Sequence, residues 1–241
     1  MVINHNMMAA NALRNSSINQ GAASKSMEKL SSGLRINRAG DDAAGLSISE
    51  KMRAQIRGLE QASTNAQDGI SMIQTGEGAL NETHNILQRM RELAVQAAND
   101  TNVAADRDAI KLEVEALTEE INRIAETTEF NTQNLFEQGA TVNFQVGANK
   151  GQVIEVEFGT MTSDGLGVTD VKDALDASDT ASEAIETIND AIVSVSAERS
   201  KLGAVQNRLE HTISNLDNAS ENLTSAESRI RDVNMAKEMS T

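Results

Sequence analysis

Proline, cysteine, tryptophan and tyrosine are absent from the 241 residues, and phenylalanine appears only four times. Average usage would place about a dozen prolines in a chain of this length, so their absence leaves long helices uninterrupted. Lack of cysteine excludes disulfides, thiolate metal sites and cysteine nucleophiles, and leaves the compartment open. With so few large aromatics, a core has to be filled by Leu, Ile, Val, Ala and the ten Met, which suits narrow seams between helices. The net charge of −15 argues against nucleic acid and anionic membranes as partners. Charge is unevenly placed: residues 1–60 hold eight Lys/Arg and five Asp/Glu, the remainder thirteen and thirty-one. Docking between subunits would exploit such an imbalance, and chance would also produce it. No run is long and apolar enough to span a membrane. The opening MVINHNMMAANALRN has neither the basic nor the apolar region of a secretory signal peptide, and by that test alone the chain is cytoplasmic.

What the sequence does have is period. Ile188, Val195, Leu202, Leu209, Leu216, Leu223 and Ile230 fall one heptad apart, the mark of a helix with one stripe against a partner helix. Taken over residues 182–233, this helix would be roughly 75 Å long. Met52, Leu59, Ala66, Ile73, Leu80, Leu87 and Ala94 form a second such ladder, widened by Ile56, Ala62, Ile70 and Met90. The two ladders are expected to pack on each other, with Leu59, Ile73, Leu80 and Leu87 meeting Leu202, Leu209, Leu216 and Leu223 in an intramolecular seam. A shorter helix carrying Ile110, Val114, Leu117, Ile121 and Ile124 follows the turn formers at 99–102 and runs antiparallel to the second.

The N-terminal stretch shows helical spacing at Ile3, Met7, Ala10 and Leu13 and again at Met27, Leu30 and Leu34, interrupted by NSSINQGAASKS, weak helix material. Gly33 and Gly40 bracket a non-helical crossing, after which Asp41 or Asp42 caps the next helix. After Thr127 the period falls to two: Val142, Phe144 and Val146 alternate, as do Ile154, Val156 and Phe158, with GANKGQ between them. That pattern predicts a β-hairpin, followed by a Gly/Asp/Ser/Thr-rich stretch with a short helix around residues 171–177. The expected fold is mainly α: an elongated rod of long antiparallel heptad-patterned helices with a small β-hairpin region.

Catalytic motifs are not found. His5, His84 and His211 form no ligand pair on one helical turn. Ser26 and Lys29 match SxxK without its companion elements. Gly76 and Gly78 lie inside a helical repeat and not between a strand and a helix, so a phosphate loop is disfavoured. The chain is expected to be no enzyme, with no catalytic residues, cofactor or metal. Arg35 and Arg38 either pair with acidic groups of a neighbouring subunit or are solvated loop charges. Arg89, Arg91 and Glu92 read as a solvated helix face, while Leu93 flanks the seam and packs toward the third helix.

The stretch SSGLRINRAGDDAAGLSISEKMRAQIRGLEQASTNAQDGISMIQTGEGALNETHNILQRMRELAVQAAND closely resembles the N-terminal region of bacterial flagellins. The end, RSKLGAVQNRLEHTISNLDNASENLTSAESRIRDVNMAKEMS, is similar to their C-terminal region. The likeness covers residues 1–135 and about 183–241 and is long and specific.

The resemblance implies a structural subunit of the flagellar filament, polymerising for swimming motility and secreted through the flagellar type III export machinery, which reverses the cytoplasmic expectation. It implies an inner-tube helix at 1–34, a spoke at 35–44 in which Arg35 and Arg38 make subunit contacts, and a helical rod domain at 45–241. That domain would include the hairpin and a short variable region at 128–182. The implied partners are other copies of the chain, the export apparatus, a filament cap, and an export chaperone or assembly factor. The host innate receptor TLR5 is a further one, through positions matching Arg89, Leu93 and Glu113. Family members continue past MAKEMS by about 30 residues, one helix of roughly 45 Å, so the chain reads as C-terminally shortened. The few residues between hairpin and last helix imply a thin, smooth filament. Two alternatives stand beside this reading: a shortened flagellin acting mainly as a secreted receptor ligand, and a hook-filament junction protein.

Overall fold

A computed structural model describes residues 6–240. In chain order the elements are α1 (Met7–Ser32), α2 (Ala43–Ala97), α3 (Ala104–Thr127), β1 (Glu129–Phe130), β2 (Gln133–Asn134), β3 (Ala140–Gln145), β4 (Val153–Phe158), α4 (Val171–Ala174), α5 (Ser178–Arg231) and α6 (Met235–Met239). The chain divides into two compact units, one made of residues 1–60 and 217–241 and the other of 61–216. Helices α2 and α5, at 55 and 54 residues, contribute to both.

In the unit formed by the chain ends, α1 is continuous from its Asn6 cap, whose side chain accepts the Ala9 N–H at 3.2 Å. The Asn/Ser-rich segment that sequence marks as weak is helical throughout. Ser and Asn cost only tenths of a kcal/mol each in a helix, and no proline is present to remove a donor. The helix ends at Gly33, which takes the left-handed conformation (φ 72°) that a side chain would resist. Asp42, not Asp41, caps α2, its Oδ1 accepting the Gly45 N–H at 2.9 Å. Asp41 instead accepts the backbone N–H groups of Asn37 and Arg38, holding the crossing closed; these two bonds pull its carboxyl below the usual range. Ile3 and His5 lie outside the described residues.

The larger unit holds the main core. Ala66, Ile73, Leu80, Leu87 and Ala94 of α2 are at most 1% exposed, as are Ile188, Ala191, Val195, Leu202 and Leu209 of α5. Each Leu or Ile so buried contributes about 1.5–3 kcal/mol. The two helices run antiparallel: Glu77 of α2 reaches Arg199 of α5 at 3.6 Å, while residues 88–95 face Ile192. On α2 a second heptad column is covered as well, through Ala62, Gly69, Gly76, Thr83, Met90 and Ala97. The aromatic rings of the hairpin region rest on its glycines, Phe144 at Gly69 and both Phe136 and Phe158 at Gly76. Helix α3 adds Ile110, Val114, Ile121 and Ala125; Ile124 is half-buried, because the step after Ile121 is four residues and not three.

Strands β3 and β4 pair antiparallel from Ala140↔Phe158 to Gln145↔Val153. Ile154, Val156 and Phe158 turn inward while Val153, Glu155 and Glu157 face out, as period two requires. A second small ladder, β1 with β2, is too short to leave a period in the sequence. It is held by Asn134, whose amide donates to the Ala125 and Glu126 carbonyls at the end of α3 and whose Oδ1 accepts from Phe136 and Glu137. Helix α4 stops at Ala174, short of the expected 177, and α5 begins at Ser178, ahead of the expected 182. Val168 before α4, Val171 at its start and Leu175 just after it anchor this stretch, each at most 3% exposed.

Candidate functional site

Three groups of residues stand out, none arranged as a reaction centre. The first is where α1 and α5 end. Gly33 accepts from Val233, Leu34 bridges Asp232, and the Arg35 N–H donates to the Arg231 carbonyl. Arg35 also donates from Nε at 3.0 Å and from Nη2 to the Ile230 carbonyl, one of the acceptors a helix end leaves unpaired. Its cation thus sits at the negative end of α5. Arg38 pairs with Glu28 at 3.1 Å. Both arginines therefore find partners within their own chain. Nearby, Glu227 takes Arg53 at 3.0 Å and lies 4.0 Å from Arg231, a cluster that sequence spacing did not suggest.

The second group joins α2 to α3. Arg89 donates from Nε (2.9 Å) and Nη2 (2.8 Å) to Glu113, and from Nη1 to Glu92 (3.0 Å). Glu113, then Glu92, raise the guanidinium pKa further. Arg89 and Glu113 are about half-exposed, so this is a surface pair with its charges presented to solvent. Leu93 is different: at 2% exposure it belongs to the core beneath them. The structure therefore brings Arg89 and Glu113 together and sets Leu93 as packing below the surface. Glu92, read from sequence only as a flanking charge, completes the cluster.

The third group is the terminal helices. No residue of α1 is buried, and Met7, Met8, Leu13, Ile18 and Met27 are exposed apolar side chains. Met27 and Leu30 line a groove of about 560 Å³ with Glu238 and Met239 of α6. Glu238 accepts from Ser26 at 3.1 Å and lies 3.6 Å from Lys29. The SxxK pair is thus spent on a carboxylate and carries no nucleophile geometry. Of the seam residues, Ile73, Leu80, Leu87, Leu202, Leu209 and Leu216 are buried in the larger unit, whereas Leu59 and Leu223 are half-buried in the other.

Among the described residues no group of three or more His, Asp or Glu side chains is placed to hold a metal ion, and no helix is long and apolar enough to cross a membrane. His84 lies 2.9 Å from Gln88, His211 is exposed, and Gly76 packs under aromatic rings inside α2.

Two family models match: the bacterial flagellin N-terminal helical region over residues 3–141 and the bacterial flagellin C-terminal helical region over residues 185–241. The chain is 60% identical over 240 residues to a flagellin of Halalkalibacterium halodurans, covering 99% of this chain and 88% of that protein. It is 53% identical over 273 residues to a flagellin of Bacillus subtilis, covering 100% of this chain and 90% of the relative. A flagellar filament 33 kDa core protein of Treponema phagedenis is 52% identical over 254 residues, which cover 99% of this chain and 89% of that one. Among solved structures, Bacillus cereus flagellin aligns with TM-score 0.54 and 32% identity over 64% of this chain and 88% of the other. A flagellar hook-associated protein from Vibrio parahaemolyticus aligns with TM-score 0.67 over 80% of this chain and 100% of its own, at 13% identity, a likeness of fold alone.

Proposed function

The chain belongs to the bacterial flagellin family, and from that premise we propose how its parts divide the work of building a filament. It is a structural protein and not an enzyme, a self-polymerising subunit of the extracellular flagellar filament. In the proposed division, the buried core of residues 61–216 is complete in one copy and serves as the preformed body. The terminal helices are the assembling part. The observation that carries this reading is α1, 26 residues without one buried side chain yet bearing Met7, Met8, Leu13, Ile18 and Met27. A helix with so many apolar side chains in water gains by burial against copies of itself, about 25 cal/mol per Å². Repeating one head-to-tail contact gives an open helical polymer. Arg35 and Arg38 tie the entering chain to its own α5 end and α1.

Membership of the family supports further proposed partners: the type III export machinery, a filament cap, and an export chaperone or assembly factor. Recognition by the host receptor TLR5 is supported by the exposed Arg89–Glu113 pair on α2 and α3, with Leu93 supporting that surface from beneath. Arg89→Ala and Glu113→Ala are expected to weaken receptor signalling in reporter cells while the circular dichroism spectrum is unchanged; equal signalling overturns that assignment. The assembly reading is tested by electron microscopy of the protein after seeding with filament fragments. Growth of filaments supports it, and a persistent monomer under conditions that extend a control flagellin contradicts it.

A further inference from the structure

Methionine is the only sulfur-bearing residue of this chain, which has ten Met and no Cys, and the terminal helices expose it where the larger unit buries it. Met72, Met90 and Met161, in the larger unit, are 2%, 0% and 7% exposed. Met7, Met8, Met27, Met235 and Met239, all in α1 and α6, are 70%, 84%, 68%, 48% and 73% exposed. Met27 and Met239 line the same α1–α6 groove. Sulfur reactivity toward two-electron oxidants follows access. Met52 is half-buried and Met1 lies outside the described residues; with no cysteine, tryptophan or tyrosine to compete, a two-electron oxidant meeting the folded subunit attacks the five accessible sulfurs of α1 and α6 ahead of the buried ones.

We propose that the exposed methionines of α1 and α6 form an oxidation-sensitive patch, and that their conversion to sulfoxide by a peroxide or hypohalous acid switches off self-assembly without unfolding the subunit. With hydrogen peroxide the thioether sulfur attacks one peroxide oxygen. A sulfur–oxygen bond forms, the oxygen–oxygen bond breaks, and water leaves with both peroxide protons. Sulfur loses two electrons and the peroxide gains them. The product is a polar, chiral group in place of a flexible apolar one. In α1 and α6 it stands where apolar side chains await a partner, so burying it strands a strong acceptor away from water. The buried Met72, Met90 and Met161 keep their thioethers, and the core they fill is untouched. This consequence for assembly rests on the terminal helices being the assembling part; the pattern of oxidation does not.

The test treats the folded full chain with limiting hydrogen peroxide and follows two readouts. Peptide mass mapping is expected to show sulfoxide forming at Met7, Met8, Met27, Met235 and Met239 at least about tenfold faster than at Met72, Met90 and Met161. Seeded assembly, measured by sedimentation, is expected to fall several-fold and to return after treatment with sulfoxide reductases acting on both epimers. The variant M7L/M8L/M27L/M235L/M239L is expected to assemble equally before and after peroxide. Similar oxidation rates at exposed and buried sulfurs overturn the patch. Undiminished assembly of the oxidised wild type overturns the switch while leaving the assembly reading intact. Failure of the untreated wild type to assemble contradicts the assembly reading itself and removes the switch with it, whatever the mass map shows.

Discussion

Two glycines two residues apart in α2 offer a matched test of how the hairpin region sits on that helix. Replacing either by alanine in a helix interior removes the same backbone-entropy cost, about 0.8–1.0 kcal/mol. Around Gly78 nothing beyond its chain neighbours and the helix's own adjacent backbone lies within 4 Å of the added Cβ, so the gain stands alone and the variant is more stable by about 1 kcal/mol. At Gly76 the same Cβ comes within 3.2 Å of Phe136 Cζ and 3.3 Å of Phe158 Cε1. Neither ring gives way easily. They brace each other edge to face, with centroids 5.9 Å apart at 79°, and both are nearly inaccessible to solvent. Overpacking of this kind costs about 1–3 kcal/mol, which cancels or exceeds the helical gain. Gly76→Ala is therefore neutral to destabilising by about 2 kcal/mol, and the two variants differ by about 1–3 kcal/mol. In thermal unfolding followed by far-UV circular dichroism, each kcal/mol moves the midpoint by roughly 2–4 °C for a protein this size. If Gly76→Ala stabilises as much as Gly78→Ala, the rings do not rest on α2 where the structure puts them.

Other consequences follow from burial and charge. Leu80→Ala, at a site 1% exposed, is expected to lose about 2–5 kcal/mol in urea unfolding, and Leu59→Ala, half-buried, distinctly less. Asn134→Ala strands two carbonyls of α3 and two N–H groups of the following turn; a loss of about 1–3 kcal/mol and faster amide exchange at Phe136 and Glu137 are expected. Two crossed ion pairs, Lys172–Glu115 at 2.8 Å and Lys111–Asp176 at 2.7 Å, strap the α4 segment to α3. Lys172 holds the Glu115 carboxyl below its ordinary 4.5. Its contribution is thus present above that value and lost as pH falls through the lowered one. On the basic side Lys172 is raised above 10.5 by Glu115, and its contribution persists below 10.5 and is lost as pH rises through the raised value. Amide protection of Val171–Ala174 should therefore decline in acid, and Glu115→Gln should remove that part of the pH dependence.

The long helices were legible because a heptad is a strong, repeated signal, and the main hairpin because Val142–Val146 and Ile154–Phe158 alternate without a fault. The second buried column of α2 was harder to read, since Gly69 and Gly76 carry no apolar mark and their role is to admit a ring. Continuity of α1 was obscured by polar residues whose individual helix costs are small. The β1–β2 turn and the anchors Val168 and Leu175 sit on irregular backbone, where burial follows no period. Of the surface groups, Arg89 and Glu113 lie far apart in sequence and meet only because α3 folds back along α2. The intrachain partners of Arg35 were likewise hidden, because the acceptor is a backbone carbonyl of α5.

Helices α1 and α6, solvent-exposed in one copy, are expected to be covered when copies assemble. Hydrogen–deuterium exchange on monomer and seeded polymer of the same chain tests it directly. New protection is expected across residues 7–32 and 235–239 on polymerisation, with little change at the already buried Ile73, Leu80 and Leu202. Unchanged exchange in the terminal helices of a polymer that has formed would contradict it.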